Sequence, residues 1–347
     1  PCIYCYTCVS NIYVRTPMRC AVNATEGYEY LQDRARPPRG EHVVVVGGGP
    51  AGMEAARLLD LAGNRVTLLE RGSRLGGTLQ FAGLAYEPNE RLLDWLRGQL
   101  AQSRVDVRLG TETTVSLLQV LAPDRVIVAT GAVRGMPAIP GVELDHVLSG
   151  DDLRALMTGE ASPALDRKTS LPTRLAARLG ALSGLTARPA VVRRLTRHWM
   201  PLGRRIVILG GELVGMELAE FLAERGRDVT GLEEGAKFGK GLLLVRRLRL
   251  VPELKEHGVR LVAAVREVTI TREGVGYTAA DGSRHLVPAD HVVIAQGARG
   301  DTTLAATLRE AGFDVTTVGD CNGVGYLEGA MRGAARAVLG EAAIPAL

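Results

Sequence analysis

The sequence predicts an α/β fold of two Rossmann-like modules, preceded by a short segment rich in cysteine. A glycine fingerprint occurs twice, at Gly47–Gly52 and Gly210–Gly215, each time between an apolar β-branched strand and a helical run. In both cases a second strand follows and ends in an acid, Glu70 or Glu233. The N-terminus is set apart by its thiols: Cys2, Cys5, Cys8 and Cys20 are four of the five cysteines in the 347-residue chain.

The cysteines come first in the chain. Their spacing is C-x2-C-x2-C-x11-C, and only Cys321 lies elsewhere. The three close thiols, Cys2, Cys5 and Cys8, cannot pair off among themselves as disulfides without leaving an odd one, so a metal suits them better. Structural zinc sites take two separated pairs of cysteines. A triplet with two-residue gaps and one more distant ligand is the iron–sulfur habit. The spacing therefore favours a 4Fe–4S cluster on Cys2, Cys5, Cys8 and Cys20 over zinc, and over a chance cluster of buried cysteines.

The first module follows. His42–Val46 is an uninterrupted apolar run, as in a buried parallel strand. It opens into Gly47-Gly48-Gly49-Pro50-Ala51-Gly52 and a helix from Met53 to Ala62. Gly47 permits the turn, Gly49 lets a pyrophosphate meet the backbone, and Gly52 lets the helix lie on the strand. The strand Arg65–Leu69 leads to Glu70, placed to accept from ribose hydroxyls. One such glycine pattern alone is weak, whereas strand, turn, helix and terminal acid together are specific. A further strand, Asp124–Val128, ends in Ala129-Thr130-Gly131.

Between the modules, Arg167 to Arg205 holds many arginines and no acid, with Pro172, Pro189 and Pro201 excluding one long helix. The stretch reads as a solvated connector, or as a docking surface for an acidic partner or a clamp on nucleotide phosphates. The second module runs from Arg205–Leu209 through Gly210-Gly211-Glu212-Leu213-Val214-Gly215 to Asp228–Leu232 and Glu233. Glu212 stands where the fingerprint has the glycine that meets the pyrophosphate, so the sequence predicts weakened or lost dinucleotide binding here. In the other reading Glu212 turns out to an arginine and NAD(P)H still binds, with Glu233 favouring NADH. The strand His291–Ala295 and Gln296-Gly297 echo the Ala129-Thr130-Gly131 strand, and Gly319-Asp320 precedes a helical tail.

The expected division is 1–40 for the cluster segment, 41–150 with 291–347 for the first module, 151–203 for the basic connector and 204–290 for the second module. Apolar residues at 46% suffice for packed cores, and a net charge of +4 without basic–aromatic interleaving argues against nucleic acid. No apolar run approaches the roughly 18 residues of a spanning helix. The N-terminus has neither signal- nor transit-peptide character, and cluster thiolates need a reducing compartment, so a cytoplasmic location is expected.

The order of these motifs, with Leu75-Gly76-Gly77 and Gly319-Asp320 included, resembles the C-terminal half of the iron–sulfur flavoenzymes related to old yellow enzyme: 2,4-dienoyl-CoA reductase, 2-enoate reductase and trimethylamine dehydrogenase. The segment Pro17–Tyr30 is most similar to the amine-dehydrogenase branch around its last cluster cysteine. The resemblance implies two dinucleotide-binding modules of glutathione-reductase type. It implies FAD on Gly47, Gly49, Pro50, Ala51, Gly52, Glu70, Arg71, Gly77, Thr78, Ala129, Thr130, Gly131, Gly319 and Asp320, with Asp320 on the ribityl chain. In the trimethylamine dehydrogenase branch ADP alone takes that place, so ADP stays open beside FAD. NAD(H), if bound, would lie on Gly210, Gly215 and Glu233. Cys321, beside Asp320, reads as a small buried residue rather than a redox group.

In this family an FMN-binding TIM barrel precedes these motifs and carries the substrate chemistry, so no catalytic residue is expected in this chain. The chain is then either a fragment or a separate subunit. The implied function is electron relay between FAD, the 4Fe–4S cluster and FMN on a TIM-barrel partner, for enoate-type reduction or amine oxidation, with an external electron carrier in the second case. The alternative is a non-catalytic assembly or electron-conducting subunit with ADP in the first module and a non-functional second one.

Overall fold

The computed structural model describes residues 1–158, 163–169, 171–184, 186 and 188–344, and in it the chain divides into two compact units. Residues 159–162, 170, 185 and 187 of the expected connector, and 345–347 of the expected first module, lie outside the described residues. The first unit comprises Pro1–Gly83, Pro88–Val133 and the chain from Ala298 onward. The second comprises Leu84–Glu87 and Arg134–Gly297.

The first unit is built on a five-stranded sheet in the order Val315–Thr317, Arg125–Val128, His42–Val46, Arg65–Leu69, Asp106–Arg108. All its pairs are parallel. His42–Val46 lies at the centre with every residue buried, which is why its apolar run does not alternate: both faces of the strand are covered. The helix Pro50–Leu61 starts at Gly49 with Pro50 in its first turn, where a missing N–H costs nothing, and buries Met53, Ala55, Ala56 and Leu59. The helix Tyr326–Leu339 presents Ala330, Met331 and Ala334 to the same core.

The cysteine segment belongs to this unit. Ile3 is buried in the core with Leu92 and Leu93. Arg19 pairs with Glu328, and the buried Arg332 donates to the Ala24 carbonyl at 3.4 Å and lies over the Tyr28 ring. The segment is thus held to the C-terminal helix by two arginine contacts, with no disulfide among its cysteines.

The second unit has a five-stranded parallel sheet of the same order of roles: Val147–Ser149, His291–Ile294, Arg205–Leu209, Asp228–Glu233, Arg260–Ala263. A three-stranded antiparallel sheet, Arg266–Thr271, Gly274–Thr278 and Arg284–Pro288, adds to it.

Here the structure departs from the expected boundaries. The strand His291–Ile294, assigned by its sequence echo to the first module, pairs with Arg205–Leu209 and serves the second fingerprint. Val147–Ser149 takes the sheet's outer place, so 134–150 also belong to the second unit. A strand's sequence gives its type; its partner is fixed only by which sheet edge its register and connections reach. The stretch 151–203 is likewise part of this unit. Its helix Pro189–His198 is held by the buried Arg225, which donates to Thr196 Oγ1 at 2.9 Å and to the Arg193 carbonyl at 3.3 Å. Burial lowers the Arg225 pKa to about 10, and those oxygens take up its donors.

Candidate functional site

In the first unit each fingerprint glycine meets a different constraint. Gly47 has φ +107, and a Cβ there would sit 2.4 Å from the Ala129 carbonyl oxygen. A Cβ on Gly52 would lie 1.9 Å from the Gly47 oxygen, so the first turn of the helix closes directly on the strand end. Gly49 is unlike both. Its φ is −74 and ψ −178, ordinary for any residue, and nothing lies within 4 Å of where a Cβ would be. The fold does not require glycine at this position.

Glu70 is oriented by two backbone donors. Its Oε2 accepts the Gly48 N–H at 2.7 Å and its Oε1 accepts the Gly72 N–H at 2.6 Å. The loop after it closes back, Gly76 N–H to Gly48 O at 2.8 Å, and sets Gly77 (φ +51) opposite Gly49, with 3.1 Å between its Cβ position and the Gly49 Cα. Arg97 fixes this loop through the Leu75 carbonyl, reached by Nε at 3.1 Å, and through Gln80 at 3.2 Å. Burial lowers the Arg97 pKa. Arg71, Gly77 and Thr78 stand exposed around this cradle, and Pro50 and Ala51 form the first turn of its helix.

On the other side, Ala129 is packed against the fingerprint, with Thr130 and Gly131 following it toward solvent. The Gly319 turn (φ +71) approaches so closely that a Cβ would come within 2.8 Å of the Ala51 Cβ. Asp320 Oδ1 accepts the Gly325 N–H at 2.9 Å just ahead of the helix Tyr326–Leu339. The structure therefore brings Gly47–Gly52, Glu70, Gly77, Ala129 and Gly319 to one end of one sheet. Cys321 is buried and donates its S–H to the Val318 carbonyl at 3.2 Å, with burial pushing its thiol pKa up.

The second unit repeats the turn, the acid and the loop closure of this arrangement. Gly211 and Gly235 N–H donate to Glu233 at 2.6 and 2.7 Å, and Gly239 N–H closes on Gly211 O at 2.7 Å. A Cβ on Gly215 would meet the Gly210 oxygen at 1.9 Å, and Gly210 lies against Ala295 as Gly47 lies against Ala129. In this register Glu212 replaces Gly49 and Lys240 replaces Gly77. Glu212 caps its helix with φ −78 and ψ −174, almost the Gly49 values, and its Oε1 lies 3.7 Å from Lys240 Nζ. The partner is thus a lysine, not the arginine foreseen. Lys240 was missed by the motif because its position counts from the acid, not from the glycines.

Glu217 was missed for a similar reason. It follows the fingerprint as Glu54 follows the first one, in Gly52-Met53-Glu54 and Gly215-Met216-Glu217. Glu54 pairs with Arg57 at 2.7 Å. Burial raises the Glu217 pKa from 4.5 to about 7, against the attraction of Arg246 and with repulsion from Glu220. Arg246 pairs with Glu220 at 2.8 Å and lies over the Tyr86 ring.

The N-terminal thiols are all free. Cys2 is exposed, and Cys5, Cys8 and Cys20 are half-buried. Among the described residues no three potential ligands are gathered tightly enough to hold a metal ion. Burial nonetheless raises the Cys5 pKa, and Cys20 and Cys8 are close enough for their charges to raise it further. Tyr4 and Tyr6, on either side of Cys5, both take left-handed backbone, with φ +51 and +61. Such strain in non-glycine residues gathers where the surroundings or a ligand impose it. Asn11, one helical turn after Cys8, is buried with its side-chain N–H2 unbonded.

The chain matches the pyridine nucleotide-disulphide oxidoreductase family over residues 18–119 and 110–322. It is 32% identical to a bilirubin reductase of Mediterraneibacter gnavus over 317 residues, covering 91% of this chain and 43% of that protein. Against an NADH oxidase of Thermoanaerobacter brockii it is 28% identical over 335 residues, covering 94% and 45%. The chain thus spans less than half the length of these relatives. Among solved structures, a 2-naphthoyl-CoA reductase complex with 2-naphthoyl-CoA superposes with a TM-score of 0.80 at 24% identity, covering 97% of this chain and 46% of that one, which speaks for the fold. No helix among the described residues is long and apolar enough to cross a membrane. With its paired parallel sheets, repeated cradle and matching relatives, the chain belongs to the pyridine nucleotide-disulphide oxidoreductase family, as an FAD/NAD-type oxidoreductase domain of the kind found in the flavoenzymes that its motif order resembles.

Proposed function

We propose that this chain is the electron-transferring part of an iron–sulfur flavoprotein oxidoreductase, with FAD in the first module and a 4Fe–4S cluster on Cys2, Cys5, Cys8 and Cys20. The observation that carries the flavin assignment is the Gly49–Gly77 cradle. Both positions are bare of side chain, and the space off Gly49 is open. These residues fit a pyrophosphate, with the pinned Glu70 toward ribose and Asp320 toward the ribityl chain. The four free thiols match a cubane in number and in spacing along the chain, one per iron, without being gathered about a common centre, and the orphaned amide of Asn11 is a donor suited to a cluster sulfur. Bound together, the two groups would supply conversion between two-electron and one-electron transfer.

The protein's own contribution is positional. Glu70 and Arg97 hold the cradle loop, and Arg19 and Arg332 hold the cysteine segment to the C-terminal helix of the same unit. We place the substrate chemistry, enoate-type reduction or amine oxidation, on an FMN-bearing TIM barrel outside this stretch of sequence. Its docking face is the C-terminal face of the barrel strands, set over Cys2 to Cys20. The cell compartment is the cytoplasm, where thiolates stay reduced, and an external electron carrier completes an outward route. The second reading, ADP in the first module with a non-functional second one, draws on Glu212 in the second cradle.

Anaerobically prepared protein tests this directly. It is expected to carry about four iron and four sulfide per chain, show a flavin band, and turn over no small organic substrate by itself. Cys5→Ala is expected to lose most of the iron while keeping the flavin. Stoichiometric zinc without sulfide removes the cluster, and released ADP without flavin selects the second reading.

A further inference from the structure

The two modules act as controls for each other. Their acids, loop closures and helix starts agree in spacing and in hydrogen bonds within about 0.1 Å. Against that background the two positions that face each other across the cradle differ in kind: Gly49 and Gly77 in the first, Glu212 and Lys240 in the second. The backbone does not demand the difference at the helix start, since Gly49 and Glu212 share φ and ψ within a few degrees. Glycine at 49 is therefore explained by a ligand, and its replacement at 212 marks a cradle that no longer admits one.

We propose that Glu212 and Lys240 close the second module to dinucleotides. The Glu212 side chain leaves the backbone in the direction that is empty at Gly49, which is the path by which a pyrophosphate reaches the first turn of the helix. Its carboxylate adds like charge to that path. Lys240, across the cradle at 3.7 Å, neutralises it internally, so the loop keeps its first-module geometry with no phosphate bound. Lys240 is exposed, so the ion pair itself is weak and opens readily. The block comes from the volume and charge of Glu212, not from the strength of the pair. The first turn of the second module offers no compensation at its first N–H, since that of Leu213 is taken by the Lys240 carbonyl at 3.2 Å. Glu233 keeps its ribose-facing arrangement, so the loss is specific to the diphosphate. Reducing equivalents then reach this chain by a route other than a nicotinamide in the second module.

Calorimetric titration of the whole chain with NADH and NADPH tests this, alongside anaerobic flavin bleaching. The inference rests on the flavin reading only for that bleaching; calorimetry decides it even where no flavin is found. The wild type is expected to give no saturable binding below about 1 mM, the range of non-specific contacts. Glu212→Gly is expected to tighten NADH binding at least about tenfold, because the path opens and Lys240 turns to the phosphate. Lys240→Gly alone is expected to gain nothing, since it leaves the Glu212 carboxylate in the path. The double variant is expected to fall between Glu212→Gly and wild type, and to prefer NADH to NADPH through Glu233. Saturable micromolar NADH binding by the wild type overturns the proposal, more so if Lys240→Gly abolishes it. So does failure of both Glu212→Gly and the double variant to bind while their circular dichroism matches the wild type.

Discussion

Within one short loop, glycines that look equivalent in sequence do unequal work. Gly52 is glycine because a methyl group would stand 1.9 Å from the Gly47 oxygen, and no side-chain adjustment relieves a contact with backbone. Gly49 is glycine with open space around it. The two therefore separate stability from binding. Gly52→Ala is expected to lower stability by about 1–3 kcal/mol or more, as overpacking does, visible as a lower melting temperature even without cofactor. Gly49→Ala is expected to leave the melting temperature of the apo chain within a degree or two while weakening flavin retention on gel filtration. Equal effects on both quantities in both variants would contradict this division. The thiols obey the same logic of surroundings: Cys321 is a buried packing residue bonded to a carbonyl, whereas Cys5 shares its environment with Cys8 and Cys20.

At the scale of elements, the fingerprint helices carry both the cradle and an acid one turn further on. In Leu213–Ala223 that acid is Glu217, with Arg246 and Glu220 as its charged neighbours. Its carboxyl is pushed up from 4.5 to about 7 by burial, so it stays protonated in the native state while the unfolded chain ionises it. The native state then binds more protons than the unfolded state between those values, and stability falls as pH rises from 4.5 to about 7. Glu217→Gln keeps the shape and removes the titration. Urea unfolding across that window is expected to show a smaller loss of stability in the variant than in wild type, and parallel curves would place the pKa elsewhere. The helix Pro189–His198 illustrates a different dependence. Its arginines read as a solvated run, yet its placement is set by Arg225 from outside the run.

Across the whole molecule, the two units have separate cores, one around Met53, Leu59 and Met331 and one around Val207, Val292 and Ile294. The two tryptophans divide between them: Trp95 lies in the first unit under Arg57, and Trp199, 53% exposed, lies in the second. A flavin bound only to the first stabilises it by mass action, by about 2.7 kcal/mol at a hundredfold excess over Kd. Thermal unfolding of Trp199→Phe, reporting through Trp95, is therefore expected to rise on flavin addition, while Trp95→Phe, reporting through Trp199, is expected to stay put. A shared shift would mean that the two units unfold as one. The sequence by itself determined that there are two βαβ modules and where their turns and acids fall, because strand, glycine turn and helix are local and their spacing is short. Only the tertiary structure decided that His291–Ile294 and Val147–Ser149 complete the second sheet, that 151–203 folds onto the second module, and that Lys240 faces Glu212. Strand partners and facing side chains are contacts between distant residues, and neither propensity nor spacing within one segment encodes which distant residue arrives.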